Sequence, residues 1–188
     1  MSLLVANRDC GACSACCTAL PVDSPELQKM PGEPCIHVDG RGGCGVYTSR
    51  FPVCRAFYCG WRHLPVLDDA WRPDRSGVLI LFETDERAIP PGYPCRPAIK
   101  FLITGPRGTI ERIEFLRYLN GLIFHGVPTF LAAPGPRGCF PVKTFLNVAL
   151  KAAVAASDKA EMIRLLRQRY DLLLDGDFEP VVLSRAVG

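Results

Sequence analysis

The sequence predicts an α+β fold in which an irregular, metal-held, cysteine-rich N-terminal module packs on a small mixed sheet with about three helices. Three observations predict it. Eight of the ten cysteines precede position 60, in a stretch broken repeatedly by Gly and Pro. Two apolar, β-branched runs follow Gly77. Beyond them, apolar residues recur at helical spacing. The module is expected to cover residues 1–62 and the α+β body residues 77–188.

Within the body, Gly77–Glu83 and Ala98–Thr104 read as strands, each an apolar run bounded by turn residues. Ile110–Phe124 reads as a helix, because Ile110, Ile113, Leu116, Leu119 and Ile123 share one face and Gly126 and Pro128 follow its end. Val127–Ala132 and Cys139–Val142 are weaker strand candidates. Phe145–Ala156 is rich in Ala and predicts a second helix. Asp158 and Glu161 then form a capping pattern that opens a third, running to about Leu174 and closed by Gly176.

Before position 62 the punctuation is dense: Pro21, Pro25, Pro31, Gly32, Pro34, Gly40, Gly42, Gly43 and Gly45 leave little room for long elements. One short helix is expected near Ser24–Met30, with Ser24 as its cap and Pro25 in its first turn. Such a segment cannot fold on apolar burial alone, and bound metal would supply what is missing.

Composition narrows the setting. The opening MSLLVANRDC lacks the basic start and apolar core of a signal peptide. No apolar run approaches the roughly 20 residues of a membrane span. A cytoplasmic location, with no membrane contact, is the expectation. The net charge is only +3, and positions 1–62 hold six basic and five acidic residues, so nucleic acid is not expected as a partner.

Three explanations compete for the cysteines: metal ligation, disulfides and ordinary buried thiols. Disulfides fit an oxidised, exported chain, and adjacent Cys16 and Cys17 would crowd any pairing scheme. Metal ligation has no such conflict, because the two-residue gap of a C-x-x-C pair lets both sulfurs turn toward one ion. The candidate ligands are Cys10, Cys13, Cys16, Cys17, Cys35, Cys44, Cys54 and Cys59. Cys95 and Cys139 lie outside the module and read as buried thiols. His37 is one imidazole that could replace a thiolate. His63 and His125 have no partner pattern.

The motif runs Cys10-Gly-Ala-Cys13-Ser-Ala-Cys16-Cys17, then Cys35, then Cys44-Gly-Val-Tyr47-Thr-Ser-Arg50-Phe-Pro-Val-Cys54-Arg-Ala-Phe57-Tyr-Cys59-Gly-Trp61. It resembles the CxxCxxCC family of zinc- or iron-chelating domain proteins over about one third of the chain. Phe51 stands where the family has Pro, and Pro52 follows it, which alters a turn without touching a ligand. The resemblance implies binding of zinc or an iron–sulfur cluster. A related Cys-rich segment appears in flagellin lysine methylases, but nothing in the later residues here carries that likeness.

Residue chemistry points the same way. Eight thiolates bring a charge of −8, and two Zn²⁺ would leave −4. Arg8, Arg50, Arg55 and Arg62 stand near ligand positions and could donate to sulfur. Tyr47, Phe57 and Trp61 could wall the site from water. Neighbouring side chains usually point apart, so Cys16 and Cys17 are expected to serve two sites, whose membership the sequence leaves open. The ferredoxin pattern fails because position 20 is Leu.

Three functions remain in view. One is a metal-binding protein whose site is structural or stores the ion. Another is an iron–sulfur redox or maturation enzyme, and the third is a metal-held module that docks a protein partner. Neither GxSxG, P-loop, HExxH nor Rossmann fingerprint is present, nor is CxxxCxxC. The sequence thus identifies a site and names no substrate.

Overall fold

Gly77 sits in the left-handed region (φ 70°) and turns the chain from a short helix into the first strand of the main sheet. The computed structural model describes residues 4–94 and 98–184. In chain order the elements are α1 (Ala15–Ala19), β1 (Val22–Asp23), β2 (Gln28–Lys29), α2 (Pro52–Ala56), α3 (Gly60–His63), α4 (Pro73–Ser76) and β3 (Val78–Phe82). There follow β4 (Ile99–Ile103), α5 (Ile113–Phe124), β5 (Thr129–Ala133), β6 (Val142–Phe145), α6 (Asn147–Ala155) and α7 (Lys159–Leu174). The fold is mixed α+β.

The main sheet has the order β3-β4-β5-β6. β4 and β5 are parallel, joined by the crossover helix α5, while β3 and β6 flank them antiparallel. Residues 78–81 and all of β5 are buried, so these strands read as continuous apolar runs rather than alternating ones. Phe101 is fully buried and packs edge-on against Phe115 and Tyr118 of α5. The core then extends through Leu119, Leu150 and Leu166, one from each long helix. Phe130 belongs to a smaller cluster with Ile89 and Ala98.

Asp158 caps α7 as its sequence pattern implies, its side chain accepting from the Glu161 N–H at 2.9 Å. Elsewhere the expectations need correction. Ile110 is buried in a 3₁₀ turn (Arg107–Glu111), and α5 begins only at Ile113, because Arg112 is extended (ψ 140°). Ile113 is consequently exposed. The strand expected at Cys139–Val142 starts at Val142 instead. Pro141 has no N–H to give a ladder, and Cys139 makes a single bridge to Pro180.

Ser24–Met30 forms no helix. Val22 pairs with Lys29 and Asp23 with Gln28, making a small hairpin closed by residues 24–27. Ser24 Oγ accepts from the Leu27 N–H at 3.2 Å. A Ser-Pro pair suits the start of a turn as well as the start of a helix, and the hairpin buries Leu27 and Lys29.

The Cys-rich segment lies against β3. Gly60 opens α3 directly over Ile80, where a Cβ would come within 2.4 Å of Ile80 Cγ2. Only glycine allows this approach, and it seats Cys59 and Trp61 in the same core as the sheet. Arg8 clamps the junction by donating to the carbonyls of Trp61, Leu64 and Leu67 while lying over the Trp61 ring.

Candidate metal centre

Each cysteine is held by a turn or a helix of one or two turns. The N–H of Cys13 donates to the Cys10 carbonyl at 2.8 Å, closing the C-x-x-C turn around Gly11. Cys16 and Cys17 lie on α1. The Cys35 N–H donates to the Cys17 carbonyl at 2.9 Å, which pins the 35–38 turn to that helix. Val38 pairs in turn with Cys44. Gly43 passes so close to the first turn that a Cβ there would stand 2.5 Å from the Gly11 carbonyl oxygen. Cys54 lies on α2, and Cys59 precedes α3.

The result is one cavity of about 210 Å³ lined by all eight predicted cysteines: Cys10, Cys13, Cys16, Cys17, Cys35, Cys44, Cys54 and Cys59. Its remaining wall is largely apolar and includes Tyr47, Phe57, Trp61 and Leu79. Cys13 and Cys59 are buried and the other six half-buried. His37 also lines the cavity, its ring 5.4 Å from that of Phe51. Cys139 is half-buried elsewhere, and Cys95 falls outside the described residues.

Cys16 and Cys17 do not diverge as expected. Their sulfurs lie 4.0 Å apart, too far for a disulfide and close enough to share a proton. Adjacent residues of a helix differ by about 100° around its axis, and suitable rotamers bring their tips together. All nine cysteines among the described residues are free thiols.

Electrostatics divide the thiols. Burial pushes Cys13 up to about 11, and it raises Cys44, Cys54 and Cys59 as well. Cys16 is raised chiefly by its hydrogen bond to Cys17, then by burial. The same hydrogen bond lowers Cys17, helped by the charges of Lys29 and Arg50. The contact thus favours the thiol form of Cys16 and the thiolate form of Cys17.

Of the four arginines expected near the site, Arg50 lines the cavity. It lies between the Tyr47 and Tyr58 rings, at 4.2 Å and 5.4 Å from their centroids, and its Nε is buried without a partner. Arg8 is occupied by carbonyls, Arg55 is exposed, and Arg62 is buried over Tyr58. Sequence reasoning missed Lys29. It is buried, donates to the carbonyls of Thr18, Leu20 and Met30, and faces Cys35 and Cys17. The period-two spacing of Leu27 and Lys29 was its only signal, and a helix assignment hides it.

The donor set suits a soft metal: thiolates bind zinc and iron–sulfur centres, and Lys29 and Arg50 supply positive charge beside them. Convergence is a separate matter. Among the described residues, no three His, Cys, Asp or Glu side chains meet in an arrangement able to hold an ion. Metal binding there would require the sulfurs to draw inward across the cavity. Among the described residues, too, no helix is long and apolar enough to cross a membrane. In comparison with known proteins, no family model matches the chain, and neither a curated protein nor a solved structure is similar to it.

Proposed function

We propose that this chain is a metal-binding protein that holds zinc or an iron–sulfur cluster through the thiolates of Cys10, Cys13, Cys16, Cys17, Cys35, Cys44, Cys54 and Cys59. The observation that carries this reading is the gathering of all eight thiols, spread from position 10 to position 59, around one cavity. Buried apolar side chains would fill such a space more cheaply if packing were the only purpose. The site's role is structural or metal-storing. Sites closed by four thiolates leave no open coordination position for hydrolysis.

In this reading the metal supplies charge that thiolates attract, and the chain supplies the rest. Cys16, Lys29 and Arg50 favour the thiolate form of Cys17. The buried thiols give up protons as metal arrives, so affinity rises with pH. Arg50, with its unpartnered buried Nε, offsets the negative charge that remains. Membership of the CxxCxxCC family and a reducing, cytoplasmic setting belong to the same proposal.

The test is anaerobic purification followed by metal analysis and a visible spectrum. Zinc leaves the protein colourless, whereas an iron–sulfur cluster gives broad visible absorption with matching iron and sulfide. A folded protein that contains neither, and takes up neither on reconstitution, would overturn the proposal.

A further inference from the structure

Resting on that reading, we propose that the eight thiolates form two four-sulfur sites: an inner one of Cys10, Cys13, Cys16 and Cys59, and an outer one of Cys17, Cys35, Cys44 and Cys54. Each site takes one metal centre. The division follows the way the chain is tied together.

Cys59 belongs to the core shared with the sheet and Cys16 packs against it, while Cys13 is the other buried cysteine among the described residues. Cys10 joins them through the 2.8 Å hydrogen bond from the Cys13 N–H to its carbonyl. Gly60 fixes the neighbouring Cys59 by holding the start of α3 on Ile80.

The outer four are linked by a separate set of contacts. The Cys35 N–H reaches the Cys17 carbonyl at 2.9 Å, and the 35–38 turn brings Val38 against Cys44. From the same turn, His37 lies against Phe51. The Phe51 carbonyl accepts the Cys54 N–H at 3.0 Å. Cys17, Cys35, Cys44 and Cys54 are all half-buried.

The 4.0 Å contact between Cys16 and Cys17 joins the sets, as does the close approach of Gly43 to the Gly11 carbonyl. Four ligands on each side match the four-coordinate, all-thiolate sites of zinc and the four thiolates of an iron–sulfur cluster.

The experiment reconstitutes the full reduced chain anaerobically with zinc alone, and in parallel with ferrous iron and sulfide, then counts metal centres per chain. The unmodified protein should hold two. The same-set doubles C13S/C59S and C44S/C54S should each keep one, and the cross-set double C54S/C59S should keep none. A single centre in the unmodified protein would overturn the division, as would a cross-set double holding as much metal as the same-set doubles. Because Cys13 and Cys59 are buried, a second measurement avoids substitution. Unmodified molecules carrying one zinc ion are alkylated and fragmented, and their four protected cysteines should all come from one set. Four protected cysteines drawn from both sets would overturn the division while leaving metal binding intact. No uptake of zinc or iron by the unmodified chain would instead defeat the metal-binding reading itself.

Discussion

Between Val78 and Leu173 the elements are seated by buried apolar side chains, from Ile80 and Phe101 in the sheet to Leu119, Leu150 and Leu166 in the helices. Ahead of Trp61, the buried hydrophobic residues among those described are Cys13, Leu27 and Cys59. Two of these three are thiols. The body therefore has the means to fold by removing apolar surface from water, at about 1.5–3 kcal/mol for each large side chain. The N-terminal segment has turns, two-residue strands, helices of four or five residues and sulfur. What the contrast teaches is that cysteine occupies much of the place of a core in the first region, whereas apolar packing fills it in the second.

Removing the metal should separate the two regions most sharply. Chelation of the metal-loaded protein is expected to open residues 18–57 to protease first, while the helices of the body keep their circular dichroism. Structural zinc in small domains contributes about 10–16 kcal/mol of apparent binding energy, which the segment's sparse apolar burial would not replace. Equal protease resistance with and without chelator would break the comparison.

Phe101→Ala probes the other region. It deletes a fully buried ring between β4 and α5 and should lower stability by about 3–5 kcal/mol, read as a fall in denaturant midpoint. Gly60→Ala addresses the seam. The added methyl would meet Ile80 Cγ2 at 2.4 Å, so about 1–3 kcal/mol of stability should be lost, with faster alkylation of Cys59 in the metal-free protein. Unchanged stability would mean that α3 is not seated on β3.

Acid gives the smallest effect and concerns the body alone. Burial pushes the Glu83 carboxyl up, but Lys143 at 2.5 Å, the Asp85 N–H and Lys100 outweigh it and bring the group down to about 2. A carboxylate held below its ordinary 4.5 stabilises the fold above that pH, and the contribution fades as pH falls toward about 2. Glu83→Gln should cost about 1–2 kcal/mol at neutral pH after allowance for solvent screening, and the gap should close between pH 4.5 and 2. Denaturant titrations across that range check it, and a gap constant with pH would contradict it.

The strands at Val78–Phe82 and Ile99–Ile103 were legible because both are apolar, β-branched runs between turn residues. The start of α7 was legible because Asp158 and Glu161 stand at capping distance. The cavity-lining cysteines were visible from spacing and number. Three features were hidden for physical reasons. Ser24 and Pro25 serve a turn or a helix start equally well, so the hairpin and the buried Lys29 within it were missed. Ile110 carries helical periodicity across a break that Arg112 introduces through its backbone, which side-chain spacing does not record. The approach of Cys16 to Cys17 depends on rotamers rather than on sequence separation.

The central claim is that sulfur from this segment binds metal, and X-ray absorption at the metal edge of the anaerobically purified full chain tests it most directly. The account predicts a first shell of sulfur alone, at about 2.3 Å if the metal is zinc. A shell dominated by nitrogen or oxygen, or a protein with no bound metal to measure, would contradict it.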